Sequence, residues 1–362
     1  MKILFISLGC DKNLVDTEEM LGLLQQRGYT FTDDENDCDI VVVNTCCFIG
    51  DAKEESINAL LEAAELKKSG RVKALVAAGC LAQRYHREIR LEIPEVDAIV
   101  GTTCIGQIVD AVEQVLEGKS PILVQDPDAL TDFRVDRVLT TGGHYAYLKI
   151  AEGCNKRCSY CIIPQIRGSY RSVPMEILLE QANVLAERGV RELILVAQET
   201  TLYGLDRYGE KSLPLLLHEL AQIPGISWIR ILYCYPEEIN DELIQTIKKE
   251  PKVCHYLDIP IQHASDRILR RMGRRTTQGQ LREMIGRLRE EIPDICLRTT
   301  LIAGFPGETQ EDHEKLVDFV NEMEFDRLGV FPYSQEEGTA AAEMPDQVSE
   351  EQKEAWRQEI ME

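Results

Sequence analysis

No stretch of this 362-residue chain is apolar for long; runs such as 40–43 are far too short to cross a bilayer. The opening Met1-Lys2-Ile3-Leu4-Phe5-Ile6 starts like a secretory signal, but Asp11-Lys12-Asn13 turns polar too early for its apolar core. A cytoplasmic protein with no membrane partner is therefore expected. Aromatic residues are scarce at 6%, and 40 Lys and Arg face 62 Asp and Glu, a formal charge of −22. That charge repels phosphate backbones unless cations cluster locally, so it leans against a nucleic acid substrate and towards a basic protein partner. There is no short repeat and no low-complexity tract.

A further absence is more specific. Cys154-Asn155-Lys156-Arg157-Cys158-Ser159-Tyr160-Cys161 spaces three cysteines as C-x3-C-x2-C, and no fourth follows nearby. Structural zinc sites close with four ligands, and ferredoxin clusters take four thiolates. Three thiolates around a cubane leave one iron open to a substrate or cofactor. A zinc knuckle or an incidental cluster of cysteines is the alternative. Twelve cysteines in a chain without secretory features argue for metal or redox chemistry over disulfides.

What is present is a globular composition, 44% hydrophobic and 28% charged, long enough for two domains. Apolar strands at 3–8, 40–44, 74–78 and 98–100 alternate with helical periodicity at 15–26, 52–66 and 81–90. This predicts a parallel-sheet α/β domain over 1–120. Residues 121–143, with Pro121, Pro127 and Gly142-Gly143, read as a linker. A second series, with strands at 146–150, 192–197, 228–232, 256–259, 296–302 and 327–331, predicts an open or partial (βα)6 barrel over 144–335. Residues 336–362 read as a helical segment.

The cysteine trio sits just after the first strand of this second series, at the edge where βα folds build their sites. Cys10, Cys46 and Cys80 form a second constellation. Each ends a predicted parallel strand just before a helix, so all three converge on one rim, where helix amino termini favour thiolates. Gly9 and Gly79 would let the backbone turn close to a bulky centre. Buried cysteines are also common packing residues, so this spacing alone leaves both readings open. Cys47 and Cys104 fall near the same rim as rival ligands; Cys38, Cys234, Cys254 and Cys296 read as packing residues.

These residues together resemble the radical S-adenosylmethionine (SAM) enzymes, and within them the methylthiotransferases, over nearly the whole chain. The Cys154, Cys158, Tyr160 and Cys161 pattern matches the superfamily's cluster loop, and Cys10, Cys46 and Cys80 match the ligands of the auxiliary cluster of this family. Ser7-Leu8-Gly9-Cys10-Asp11-Lys12-Asn13, Asn44-Thr45-Cys46-Cys47-Phe48-Ile49 and Leu257-Asp258-Ile259-Pro260-Ile261-Gln262-His263 resemble the branch that methylthiolates an aspartate of the twelfth small-subunit ribosomal protein. Asp11 stands where that branch usually has proline. The family's carboxyl-terminal TRAM β-barrel has no counterpart before Glu362, so a fragment is expected.

The resemblance implies a radical-SAM barrel, two [4Fe–4S] clusters, SAM, an external electron donor and a small-subunit ribosomal protein as substrate. The alternative target is a tRNA adenosine. It also implies that Tyr160, Gln198, Arg298 and Gly304 contact SAM, Gln198 lying in Gln198-Glu199-Thr200 and Gly304 in the segment from Ile302 to Glu308. No catalytic side chain beyond the cluster ligands is assigned. His263 and the basic run Arg267, Arg270, Arg271, Arg274 and Arg275 stay unassigned, since a lone strand-end histidine and a solvated helix face are the commoner explanations. Nothing in the chain suggests a dimer, and a monomer is expected.

Overall fold

The computed structural model describes residues 1–129 and 136–362, so part of the expected linker lies outside the described residues. The chain divides into one unit made of Met1–Gly143 with Ile162–Ser169, and another made of His144–Cys161 with Tyr170–Glu362. Among the described residues no helix is long and apolar enough to cross a membrane.

The first unit is built on six strands: β1 (Lys2–Ser7), β2 (Thr30–Thr32), β3 (Ile40–Thr45), β4 (Ala74–Ala78), β5 (Ala98–Val100) and β6 (Ile122–Leu123). They are ordered β2-β1-β3-β4-β5-β6, and every neighbouring pair is parallel. Helices α1 (Asp11–Gln26), α2 (Gly50–Lys68), α3 (Gly79–Arg84), α4 (His86–Glu92) and α5 (Ile108–Leu116) cover both faces. Strands β3 and β4 are buried along their whole length, which is why they read as unbroken apolar runs instead of alternating. One core packs Val41, Val43, Leu75 and Ala77 against Leu60, Ala63 and Leu81; the other packs Val42, Val76 and Ile99's neighbours Ala98 and Val100 against Met20, Leu24, Ile108 and Val112.

Two details depart from the expected elements. The helix predicted over 81–90 is two helices, broken at Tyr85, whose ψ of 31° leaves the helical region. The short edge strands β2 and β6, and helix α5, were not signalled by periodicity; edge strands of two or three residues offer too few positions for a pattern.

The second unit carries strands β7 (Tyr145–Lys149), β8 (Ala151–Glu152), β9 (Arg171–Ser172), β10 (Glu192–Val196), β11 (Trp228–Ile231), β12 (Val253–Asp258), β13 (Cys296–Ala303) and β14 (Arg327–Pro332). Six of them form a parallel sheet in chain order, β7-β10-β11-β12-β13-β14, the layout of an incomplete βα barrel; β8 and β9 pair separately, antiparallel. Strand β13 alternates strictly: Leu297, Thr299, Leu301 and Ala303 are buried, while Cys296, Arg298, Thr300 and Ile302 are half-buried. One face thus packs on helices and the other lines the open interior. Helices Gln278–Glu291 and Gln310–Met323 start at threonines, Thr277 and Thr309, that form capping boxes with Gln280 and Asp312.

Candidate metal centres

In the first unit, three βα turns bring the expected cysteines to the carboxyl edge of β1, β3 and β4. Cys10 is the exposed residue preceding α1; Cys46 and Cys80 are 6% and 7% exposed. Gly9 has φ of +89°, and a Cβ on it would sit 2.7 Å from the Cys46 Cβ and 2.9 Å from its Sγ, so the Cys10 loop presses against Cys46. Gly79 has φ of +88°, and a Cβ there would lie 2.2 Å from Asn44 Oδ1 and 2.6 Å from the Thr45 carbonyl. Only glycine fits either turn. Asn13 ties these loops together, its Nδ2 donating to the Leu8 and Thr45 carbonyls at 2.9 Å each.

Burial pushes the Cys80 thiol far above its ordinary pKa; the Arg167 guanidinium opposes this, and the charges of Cys47, Cys46 and Cys10 add to it. Burial likewise raises Cys46, with Cys10 adding. The thiols therefore lie close enough to feel one another's charge. Of the rivals, Cys104 packs into the other apolar core, while Cys47 shares the core of Cys80 and lies near enough to add to its charge.

In the second unit, Cys154, Cys158 and Cys161 follow β7 and β8. Gly153 (φ +80°) and Arg157 (φ +54°) wrap the loop. The Ser159 amide donates to the Met272 carbonyl at 2.9 Å and its hydroxyl to the Arg271 carbonyl at 2.8 Å, so the loop is stapled to the segment after β12. Cys158 Sγ lies 3.3 Å from the Tyr235 hydroxyl. Lys156 and Arg274 sit over the Tyr235 ring, 4.8 and 4.2 Å from its centroid, and Lys156 pairs with Glu238 and with Glu237 at 3.4 Å. Burial raises the Cys154 thiol to about 11.

The expected SAM contacts are scattered over this unit. Tyr160 lies edge-on to Phe305, centroids 6.5 Å apart. Gln198 follows β10; its Nε2 donates to Glu152 at 2.6 Å, while its Oε1 is buried with no hydrogen-bond partner. Beside it Glu199, fully buried, also has a carboxylate oxygen without a hydrogen-bond partner, and burial raises its pKa to about 7 despite Thr201 and Lys156. Arg298, third in β13, ion-pairs with Asp258 at 2.7 Å and lines a cavity of about 640 Å³ with Arg230, Tyr256 and Arg327, towards the amino-terminal halves of the strands. Gly304 (φ +74°) admits Lys353, whose Cγ would be 2.3 Å from a Cβ; helix packing supplies the reason for that glycine. His263 is fully buried, 3.2 Å from Glu308.

Among the described residues no three His, Cys, Asp or Glu side chains converge on a single metal ion. A cubane asks for something else, one thiolate at each of several separate irons. Three buried or half-buried thiols, glycine turns that leave room, and buried polar atoms awaiting partners beside Cys154 suit such a cluster and an amino-acid ligand.

Family models match both halves: that of uncharacterized protein family UPF0004 over residues 2–101 and that of the Radical SAM superfamily over residues 148–320. Solved structures agree on the fold. The radical SAM methyltransferase TsrM from Kitasatospora setae, with cobalamin and a [4Fe–4S] cluster bound, is 14% identical with a TM-score of 0.65 over 91% of this chain and 74% of its own. The cobalamin-dependent radical SAM enzyme OxsB has 12% identity and a TM-score of 0.61 over 99% of this chain and 55% of its own. The protein is a radical SAM enzyme, a class that implies SAM and a [4Fe–4S] cluster.

Curated relatives narrow this further. The ribosomal protein uS12 methylthiotransferase RimO of Lachnoclostridium phytofermentans is 63% identical over 362 residues, 100% of this chain and 82% of the relative. That of Geobacter sulfurreducens is 54% identical over 350 residues, 96% and 78%. The chain belongs to the RimO family of ribosomal protein uS12 methylthiotransferases.

Proposed function

We propose that the protein adds a methylthio group to the β-carbon of an aspartate in ribosomal protein uS12. It would use SAM and two [4Fe–4S] clusters, one on Cys154, Cys158 and Cys161 and an auxiliary one on Cys10, Cys46 and Cys80. The observation that carries this reading is a set of three cysteines in each unit: Cys10, Cys46 and Cys80 each just after a strand of one parallel sheet, and Cys154, Cys158 and Cys161 in a single loop after β7 and β8. Residues 1–120 would form the auxiliary-cluster domain, 144–335 the radical SAM domain, with 121–143 linking them.

Bound at the second rim, cluster and SAM supply one-electron cleavage strong enough to take hydrogen from an unactivated carbon, which no side-chain base can do. The side chains hold, orient and exclude water. Gln198 and Glu199, each with a buried oxygen lacking a hydrogen-bond partner, suit the ammonium of an amino-acid ligand, and ionised Glu199 gains a cation to offset its burial. Tyr160, against Phe305, keeps the loop dry. Lys156 and Arg274 place positive charge around Tyr235 and Cys158, where thiolates add negative charge.

An external donor must supply the electron. We place the reaction in the cytoplasm with a monomeric enzyme. The chain's −22 charge suits a basic ribosomal protein better than a tRNA adenosine. The test is anaerobic reconstitution followed by mass spectrometry of uS12 and of unmodified tRNA after reaction with SAM and reductant. A mass gain on uS12 is expected; a gain on tRNA alone overturns the target, and no 5′-deoxyadenosine overturns the chemistry.

A further inference from the structure

The sequence pattern around the cysteines leaves one buried cation without a role. Arg167 ends the five-residue helix α6 (Ile163–Arg167), which follows the cluster loop in sequence but belongs to the first unit. It is 3% exposed. Its Nη1 donates to Asp16 Oδ2 at 2.6 Å, and its Nη2 donates to Asn13 Oδ1 at 2.5 Å while lying 3.3 Å from Cys80 Sγ. Asn13 is the residue that ties the Cys10 and Cys46 loops, and its Oδ1 is itself 3.7 Å from the same sulfur.

The guanidinium is held from both sides. Ile162 and Ile166 are buried in the core that includes Cys47, Cys80 and Leu81, and Thr102 Oγ1 donates to the Ile166 carbonyl at 2.9 Å. After it, Gly168 (φ +73°) passes so close to Pro127 that a Cβ would be 2.5 Å from its carbonyl oxygen. The Ser169 amide donates to Asp128 Oδ1 at 2.6 Å. A buried arginine satisfied by one carboxylate would be a plain ion pair. Here the planar fork spends one nitrogen on Asp16 and presents the other to an amide oxygen and a thiol at once. Hydrogen bonds and positive charge at cluster sulfurs favour the reduced state, because reduction adds negative charge.

We propose that Arg167 is a positioning residue of the auxiliary centre: it donates to the Cys80 sulfur, orients that ligand through Asn13, and raises the reduction potential of the cluster on Cys10, Cys46 and Cys80. Asp16 sets how much of its charge the cluster feels. This inference rests on the two-cluster reading above.

The test uses the full chain with Cys154, Cys158 and Cys161 all changed to alanine, so that only the first rim can hold iron. Iron and sulfide are counted after anaerobic reconstitution, and the midpoint is followed by electron paramagnetic resonance. Arg167→Gln should keep iron and shift the midpoint negative by at least a tenfold change in the reduction equilibrium, about 59 mV for one electron. Arg167→Lys should shift it less, and Asp16→Asn, which removes that carboxylate's negative charge, should shift it positive. An unchanged midpoint and spectrum in iron-replete Arg167→Gln overturns the proposal. If Arg167→Gln holds no iron, Arg167→Lys and Asp16→Asn decide: shifts of opposite sign support the proposal, and midpoints equal to the parent's reduce Arg167 to a structural tie and overturn it. A parent chain that binds no iron instead overturns the two-cluster reading on which it rests.

Discussion

Cys80 meets a charged donor 3.3 Å away, the Arg167 guanidinium, whereas Cys158 meets a neutral hydroxyl at the same distance, that of Tyr235. The first rim gathers its thiols from positions 10, 46 and 80, through three separate strands; the second takes all of its own from eight consecutive residues. A site assembled from distant segments depends on the sheet beneath it and on glycines that let the turns meet. One carried on a single loop depends on staples such as those from Ser159 to Arg271 and Met272. The two centres should therefore fail in different ways.

The largest effect separates their chemistry. Cys158→Ala should abolish 5′-deoxyadenosine formation, while Cys46→Ala should leave SAM cleavage measurable yet abolish methylthiolation of uS12, each with about half the parent's iron and sulfide. Equal loss of SAM cleavage in both variants would erase the division between the rims.

Next comes the dependence on rigid turns. Gly79→Ala forces a Cβ against Asn44 and the Thr45 backbone at positive φ, a cost of roughly 3 kcal/mol or more. Gly304→Ala, also at positive φ, meets chiefly the Cβ and Cγ of Lys353 on the helix Glu350–Met361, and should cost about 1–2 kcal/mol. Thermal unfolding of the two variants measures the difference, with iron retention at the first rim falling only for Gly79→Ala. The reverse order would show that the second unit is the less forgiving scaffold.

How much of this was readable beforehand follows the same divide. The contiguous trio and the six strands of the second unit are local signals, and each strand appears within three residues of its expected ends. The placement of Cys10, Cys46 and Cys80 at one edge of the first sheet was readable because each follows a strand, two of them after a glycine whose positive φ the turn requires. Arg167 was not: five residues of α6 carry no periodicity, and nothing local says that the segment joins the first unit. An arginine amid Ile162, Ile163 and Ile166, followed by Gly168, was the faint signal available. At Gly304 the sequence hid a second demand, since this turn glycine also accommodates the helix behind it.

Charge provides a third contrast, because the first rim's buried Arg167 is paired with Asp16 at 2.6 Å, whereas the second rim's buried Glu199 keeps a carboxylate oxygen without a hydrogen-bond partner. Glu199 has its pKa raised by burial from 4.5 to about 7. The folded chain therefore binds more protons than the unfolded one between those values, so stability falls as pH rises from about 4.5 to about 7. The loss is roughly 1–3 kcal/mol. Glu199→Gln should flatten that slope, so that parent and variant diverge in melting temperature as pH climbs from 5 to 7.5. Parallel curves would mean that Lys156, 3.9 Å away, already holds the carboxylate ionised.

The smallest effect bears most directly on the two donors. Tyr235→Phe removes only the hydroxyl beside Cys158 and leaves the ring over which Lys156 and Arg274 sit, so cation–π contacts survive. Hydrogen bonds from charged donors are about twice as strong as neutral ones. In a chain with Cys10, Cys46 and Cys80 changed to alanine, the second cluster's midpoint should therefore move negative by less than Arg167→Gln moves the first, under about tenfold in the reduction equilibrium. A shift from Tyr235→Phe as large as that from Arg167→Gln would mean that access of water to the sulfur, and not the charge of its donor, distinguishes the two rims.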